Sequence, residues 1–215
     1  MKNITDPQTY EAWYHTPRGR WIGDREFILM QSLLRTGKGS SLLDVGCGTG
    51  HFSRRFSRLG LSVTGIDPDR EVLDFARTQG SDIHYMQVNA LELPFPDKAF
   101  DYTIAVTSLC FIDDPLQVLR EMWRVTRHAL VLGLLNRHSL LHWKKKGRGS
   151  YLGARWHTAG EVSKIWVPVL SPTPGEVVLC SAVFLPRGNG VAQWSEQWLP
   201  GTLLWGGFLV VRLRK

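Results

Sequence analysis

Cysteine is scarce in this 215-residue chain: Cys47, Cys110 and Cys180 lie far apart, and no CxxC pair occurs. An odd, scattered set excludes a disulfide framework and a cysteine-based zinc site, and fits a reducing compartment. No metal site is predicted. Long apolar runs are also missing. The longest, residues 202–211, is split by Gly206 and Gly207 and falls short of the roughly 18 residues a membrane helix needs. The stretch from Met1 to Asp6 lacks the apolar core of a secretory leader. Neither an internal repeat nor a low-complexity linker interrupts the chain, and 43% hydrophobic with 21% charged residues is an ordinary globular composition. These absences predict a soluble, cytoplasmic protein built as one domain with no membrane span.

What is present in excess is positive charge, +7 overall. It is unevenly placed. Residues 44–136 carry more acidic than basic side chains, whereas residues 137–164 hold seven basic residues against one acidic, including Lys144, Lys145, Lys146 and Arg148. Such a stretch is either a solvated basic loop or a contact for an anionic substrate or an RNA backbone.

Between residues 41 and 136 short apolar runs alternate with amphipathic segments, the pattern of parallel strands joined by helices. Strands are predicted over 41–45, 62–67, 83–88, 102–107 and 129–135, and helices over 51–59, 69–78 and 114–127. In the first of these helices Phe52, Phe56 and Leu59 share one face, leaving Arg54, Arg55 and Arg58 on the other. Residues 10–34 begin with aromatics and end as a helix. Residues 140–155 show no period and read as irregular. Thr158 followed by Glu161 forms a capping box that opens a helix to residue 166. Residues 176–184 and 208–213 are β-rich and can pair as a late antiparallel hairpin, with a long connection over 186–206.

Where the first strand meets the first of those helices stands Asp44-Val45-Gly46-Cys47-Gly48-Thr49-Gly50. A turn of this kind needs glycine for positive φ and for close backbone approach to a ligand. The dinucleotide fingerprint GxGxxG would place glycine at position 51, where this chain has His51, and no GK[ST] follows, so a phosphate-cradling loop is excluded. Asp67 closes the second strand about 20 residues on, placed to accept hydrogen bonds from a ribose. The third strand ends at Asn89-Ala90, followed by Leu91 to Phe95 and by Phe100-Asp101.

This assembly resembles the class I S-adenosylmethionine-dependent methyltransferases, and among them the small UbiE-like (methyltransferase type 11) group. The resemblance is carried by residues 42–50, by Gly65-Ile66-Asp67-Pro68, by 89–95 with 97–101, by 119–125, by the N-terminal segment 12–19, and by the final strand with Gly206-Gly207 and Lys215. It departs from the family pattern at Asn89, where an aspartate is usual, and at His128-Ala129, which replaces a Pro-Gly-Gly turn. The resemblance implies an α/β fold: a doubly wound, mostly parallel, seven-stranded Rossmann-like sheet with an antiparallel final strand. One methyltransferase domain, 1–215, would comprise an N-terminal helical lid (1–40), a cofactor-binding core (41–136), a basic substrate-side insertion (137–166) and C-terminal strands (167–215).

The implied cofactor is S-adenosylmethionine, leaving as S-adenosylhomocysteine. Asp44, Gly46, Cys47, Gly48 and Gly50 would meet its methionine part and Asp67 its ribose. Asn89, Ala90 and Leu91 would frame its adenine, and Thr107 would line the site. Tyr14, with Tyr10 and Trp13, would form an aromatic lid, and Arg20 would lie near its carboxylate. His157 and Tyr14 are the candidates for a catalytic role, although displacement at an activated methyl needs alignment more than a base. The expected partner is a small methyl acceptor, with the basic insertion favouring a carboxylate- or phosphate-bearing one, and a monomer or homodimer. The alternatives are an RNA or protein methyltransferase working through residues 137–164, and a non-catalytic cofactor-binding partner subunit. A nicotinamide oxidoreductase is opposed by His51.

Overall fold

The centre of the structure is built from strand segments buried on both faces, residues 42–45, 130–135 and 208–211, most of whose side chains are apolar. The computed structural model describes residues 6–80 and 82–215; residues 1–5 of the predicted lid lie outside them. In chain order the elements are α1 (Pro7–His15), α2 (Pro17–Leu34), β1 (Ser41–Val45), α3 (His51–Arg58), β2 (Ser62–Asp67), α4 (Arg70–Thr78), β3 (His84–Gln87), β4 (Phe100–Val106), α5 (Pro115–Val125) and β5 (Thr126–Leu135). There follow α6 (Leu140–Lys145), the short helix α7 (Ala159–Glu161) running into a π-helical turn (Val162–Trp166), β6 (Glu176–Ala182), α8 (Gly190–Trp198) and β7 (Phe208–Arg214).

The strands make one seven-stranded sheet in the order β3-β2-β1-β4-β5-β7-β6. The first five run parallel, and β7 lies antiparallel to both β5 and β6. Alternation along the strands divides the core. Leu43, Val45, Leu130, Leu132, Leu209 and Val211 face α5 and the π-helical turn, with Trp123 and Trp166 between them. Leu42, Val131, Phe208 and Val210 face the other way, against Phe27 and Met30 of α2, Phe56 of α3 and Leu73 of α4. Helices therefore cover both faces, as the resemblance implied.

Chain order reverses between β1 and β4, and register pairs Asp44 with both Gly65 and Ile104. The carboxyl ends of these strands consequently stop together at the switch point, where ligands of open α/β sheets bind. Three local expectations change. Residues 10–34 hold two helices, separated at Thr16, which receives the α1 carboxyl end and caps α2 through its hydroxyl. The 186–206 connection contains α8, so β6 and β7 pair antiparallel without a tight turn. Within residues 140–155, Ser139 caps α6 by accepting from the His142 amide at 3.1 Å. Among the described residues, no helix is long and apolar enough to cross a membrane.

Candidate functional site

The turn after β1 is held by its own chain. The Gly46 and Cys47 amides both donate to the Ile66 carbonyl, at 2.8 and 2.9 Å, and the Gly50 amide donates to the Cys47 carbonyl. Gly46, Gly48 and Gly50 take φ of 72°, 54° and 75°, values that L side chains rarely adopt. Two of them are also crowded. A Cβ on Gly46 would come within 2.4 Å of the Ser108 Cβ, and one on Gly50 within 2.1 Å of the Tyr85 hydroxyl. Ser108 sits there because its hydroxyl donates to the Val45 carbonyl at 2.6 Å. Thr107 beside it has φ 56°, an uncommon conformation for a β-branched residue, at the end of β4.

Two carboxylates face this turn. Asp44 is buried and accepts from the Ser53 hydroxyl at 2.5 Å; burial pushes its carboxyl up to about 7, against the pull of that hydrogen bond. Asp67 accepts from the Gly48 amide at 3.1 Å and the Asp69 amide at 3.0 Å. Its burial raises the carboxyl's pKa, and those two amides oppose the rise.

The N-terminal helix closes over the turn through a network that joins distant residues. Buried Glu11 accepts from the Thr49 hydroxyl at 2.6 Å and from the Arg54 guanidinium at 2.5 Å, with His51 Nδ1 at 3.3 Å. Burial alone would raise its carboxyl, but the His51 and Thr49 hydrogen bonds with the Arg54 charge hold it down to about 2. Arg54 also donates to the Thr49 carbonyl at 2.6 Å. It is thus buried rather than on the outer face of α3, where the helical period alone put it.

A single cavity of about 780 Å³ runs from this turn outward. Asp44, Gly46, Cys47, Gly48, Asp67 and Thr107 line one end, Tyr10, Trp13 and Tyr14 of α1 form a wall, and Arg18, Ile22 and Glu26 of α2 form another. Lys145, Tyr151 and Leu152 from the 137–166 segment complete it. Arg155 anchors that segment by donating to the Ile112 carbonyl at 3.1 Å and to the Asp113 carbonyl. Beside the cavity, Arg18, Lys144, Lys145 and Arg187 surround a smaller hollow of about 350 Å³.

Several sequence-derived candidates fall elsewhere. Arg20 is exposed and off the cavity; the 3.6-residue period puts Arg18, Ile22 and Glu26 on the inner face instead. Asn89 and Leu91 are exposed, and with buried Ala90 they do not line the cavity; the Asn89 side chain caps its own loop, accepting from the Leu91 amide at 3.1 Å. Gly50 is the cap of α3, behind the lining. His157 is buried away from the cavity, with Nδ1 2.9 Å from Glu161 and its ring edge-on to Trp166 at 4.8 Å. The capping half of its neighbourhood forms as read, Thr158 accepting from the Glu161 amide. Cavity-facing Glu26 and the anchor Glu11 went unread. For Glu26 a signal existed: it stands within the buried stripe Ile22, Gly23, Phe27 and Met30, where a carboxylate is out of place.

The residues fit the cofactor that the resemblance implies. Carboxylates at the switch point suit an ammonium, a sulfonium and ribose hydroxyls, and the volume lies within the roughly 300–1,000 Å³ of ligand pockets. Among the described residues no group of three or more His, Cys, Asp or Glu side chains is placed to hold a metal ion.

Comparison with known proteins agrees with this geometry. The family described as "Methyltransferase domain" matches residues 43–130. A methyltransferase structure from Thermotoga maritima superposes with a TM-score of 0.76 at 24% identity, covering 97% of this chain and 95% of its own, a likeness of fold. Residues 43–130 therefore form a methyltransferase domain of the class I S-adenosylmethionine-dependent kind. Within that class the chain is similar to the demethylmenaquinone methyltransferase of Listeria monocytogenes, 40% identical over 103 residues, 44% of each chain. An uncharacterized Mycobacterium tuberculosis protein is 32% identical over 169 residues, 74% of this chain. This chain spans 56% of that relative's length.

Proposed function

We propose that the protein transfers a methyl group from S-adenosylmethionine to a small molecule bearing a carboxylate or phosphate. One observation carries this reading: the cavity that begins at the glycine turn and Asp67 continues without a break to an aromatic wall and two cations, Arg18 and Lys145. When bound, the cofactor supplies an electrophilic methyl on a sulfonium, so the protein's task is alignment and exclusion of water.

In this reading Asp67 holds the ribose hydroxyls with the acceptor capacity its two amide bonds leave free. Asp44 and the glycines shape the turn. Because the Gly46, Cys47, Gly48 and Gly50 amides already have acceptors, the turn meets the methionine part by close approach more than by donated hydrogen bonds. Tyr14 packs over the turn from α1. Arg18 rather than Arg20 lines the cavity, with Lys145, and is left for the acceptor. The neighbouring basic hollow favours an anionic acceptor group there. A walled cavity favours a small molecule over an RNA strand, which would need an open groove. The match to the demethylmenaquinone methyltransferases covers too little of the chain to bring their acceptor with it.

Calorimetric titration with S-adenosylmethionine and S-adenosylhomocysteine tests the first half of the proposal. Micromolar binding is expected, followed by label transfer to small anionic acceptors. No binding of either compound by folded protein overturns it.

A further inference from the structure

We propose that Glu26, with the aromatic wall beside it, forms the acceptor subsite for a protonated amine and takes a proton from that amine before methyl transfer. The inference rests on the methyltransferase reading and narrows its substrate class.

Glu26 lines the cavity from α2 yet, among the described residues, makes no hydrogen bond and no ion pair. The nearby cation cannot serve it, because Arg55 is committed to Asp24 at 2.8 Å and to the Gly23 carbonyl at 3.0 Å. Glu26 is half-buried, and its open side is the cavity. A partner for its carboxylate therefore comes from the cavity, as a donor or a cation. Tyr10, Trp13 and Tyr14 stand edge to face, with centroids 5.7 and 5.0 Å apart, and offer π surface of the kind that attracts ammonium groups. Along α2 the same face carries Arg18 two turns before Glu26, about 12 Å along the axis at ~1.5 Å per residue. The pair of opposite charges fits an acceptor with an amine at one end and an anionic group at the other.

The step balances within this site. One proton passes from the ammonium to the Glu26 carboxylate, the freed nitrogen pair forms the N–CH₃ bond, and the sulfur keeps the electrons of the bond that breaks. The product leaves as a methylammonium and Glu26 returns its proton to water.

Burial raises the Glu26 carboxyl to about 8, with Arg55 pulling it the other way. The other titratable groups around it are Tyr10 and Tyr14 on α1 and Tyr151 in the insertion, whose own ionisation burial suppresses. Ammonium binding should therefore strengthen by about tenfold per pH unit as pH rises toward 8, because each unit ionises tenfold more Glu26.

The test uses the full chain saturated with S-adenosylhomocysteine, titrated with phenethylamine against phenethyl alcohol and γ-aminobutyrate against γ-hydroxybutyrate. At least one amine is expected to bind about tenfold more tightly than its alcohol, with the stated pH slope. Glu26→Gln should abolish that preference and the slope while leaving S-adenosylhomocysteine affinity within about twofold. Equal binding of amine and alcohol, or an amine preference that survives Glu26→Gln, overturns the inference while leaving the methyltransferase reading intact. A loss of S-adenosylhomocysteine affinity in Glu26→Gln also overturns it, because Glu26 would then serve the cofactor. Failure of the wild-type protein to bind S-adenosylhomocysteine overturns the underlying reading instead.

Discussion

Tyr14 lies flat on His51, their ring centroids 3.7 Å apart and their planes 11° from parallel. The stack joins α1 to the first residue of α3, next to the glycine turn. Its position depends on Glu11, which stands about one turn before Tyr14 and binds Thr49, His51 and Arg54 together. Helix α1 is therefore bolted to the glycine turn by a buried ion pair with two hydrogen-bonding satellites.

Replacing Glu11 with Ala leaves the Arg54 guanidinium buried and uncompensated. A loss of about 3 kcal/mol in unfolding free energy is expected, together with weaker S-adenosylhomocysteine binding as α1 detaches. The pH dependence has a definite sign. Glu11 is held down to about 2 in the fold, against an ordinary value of about 4.3. Its contribution is therefore fully present above the ordinary value and is lost as pH falls toward 2. Denaturant midpoints between pH 6 and pH 3 (~3 units of acidification) should fall more steeply for wild type than for Glu11→Gln. Parallel slopes would remove Glu11 from the anchor.

Asp67 offers a cleaner probe of the cofactor end. Asp67→Asn keeps the shape and an oxygen for the Gly48 amide but loses the charge that strengthens bonds to ribose hydroxyls. Affinity for S-adenosylhomocysteine should drop by about tenfold or more, with the unfolding transition little changed. Unaltered affinity by calorimetry would sink the ribose assignment.

The crowding at Gly46 predicts a paired effect. Gly46→Ala must place a Cβ 2.4 Å from that of Ser108 at a φ of 72°, and should cost about 2–3 kcal/mol. Ser108→Gly removes the clashing carbon but not the φ penalty, so the double variant should recover about half of the loss. Urea unfolding of the four proteins closes the cycle; strict additivity would mean that the two residues do not collide.

Strands β1 and β5 were legible because burial on both faces leaves short, mainly apolar runs such as Leu130 to Leu135. The helices between them showed Phe52, Phe56, Leu119 and Met122 at helical spacing. α8 was not legible for the opposite reason. Val191, Trp194 and Trp198 are exposed, and only Ala192 and Glu196 are buried, so the segment has no inward apolar stripe to read. Glu196 even serves the fold as an acceptor, taking the Val183 and Phe184 amides at 2.6 and 3.0 Å. At the site, Asp44, the glycines and Asp67 were readable from local spacing. The Glu11–Arg54 pair joins residues 43 apart in sequence, and no periodicity encodes a contact of that range.

His157 has a structural prediction. Its ring fills the space between Trp166 and Glu161, so His157→Ala should lower stability by about 2 kcal/mol through the cavity it leaves. Affinity for S-adenosylhomocysteine should not move. A transfer rate that collapses in a variant of wild-type stability would return His157 to the chemistry.

Arg18 and Arg20 separate the two ways of reading the N-terminal basic residues. They are two positions apart, so on a helix they cannot share a face: Arg18 lines the cavity, where its Nε donates to the Pro186 carbonyl at 2.8 Å, and Arg20 points to solvent. Among the described residues Arg18 makes that one bond, which leaves its outer nitrogens for an anionic group, in the fork geometry that suits carboxylate or phosphate. Arg18→Gln should raise the KM for an anionic acceptor by about tenfold and flatten its dependence on salt, because an interaction between charges is what the substitution removes. Arg20→Gln should do neither. If Arg20→Gln proves the damaging change and Arg18→Gln the silent one, the cavity is being read from the wrong side of α2, and the assignment of Glu26 falls with it.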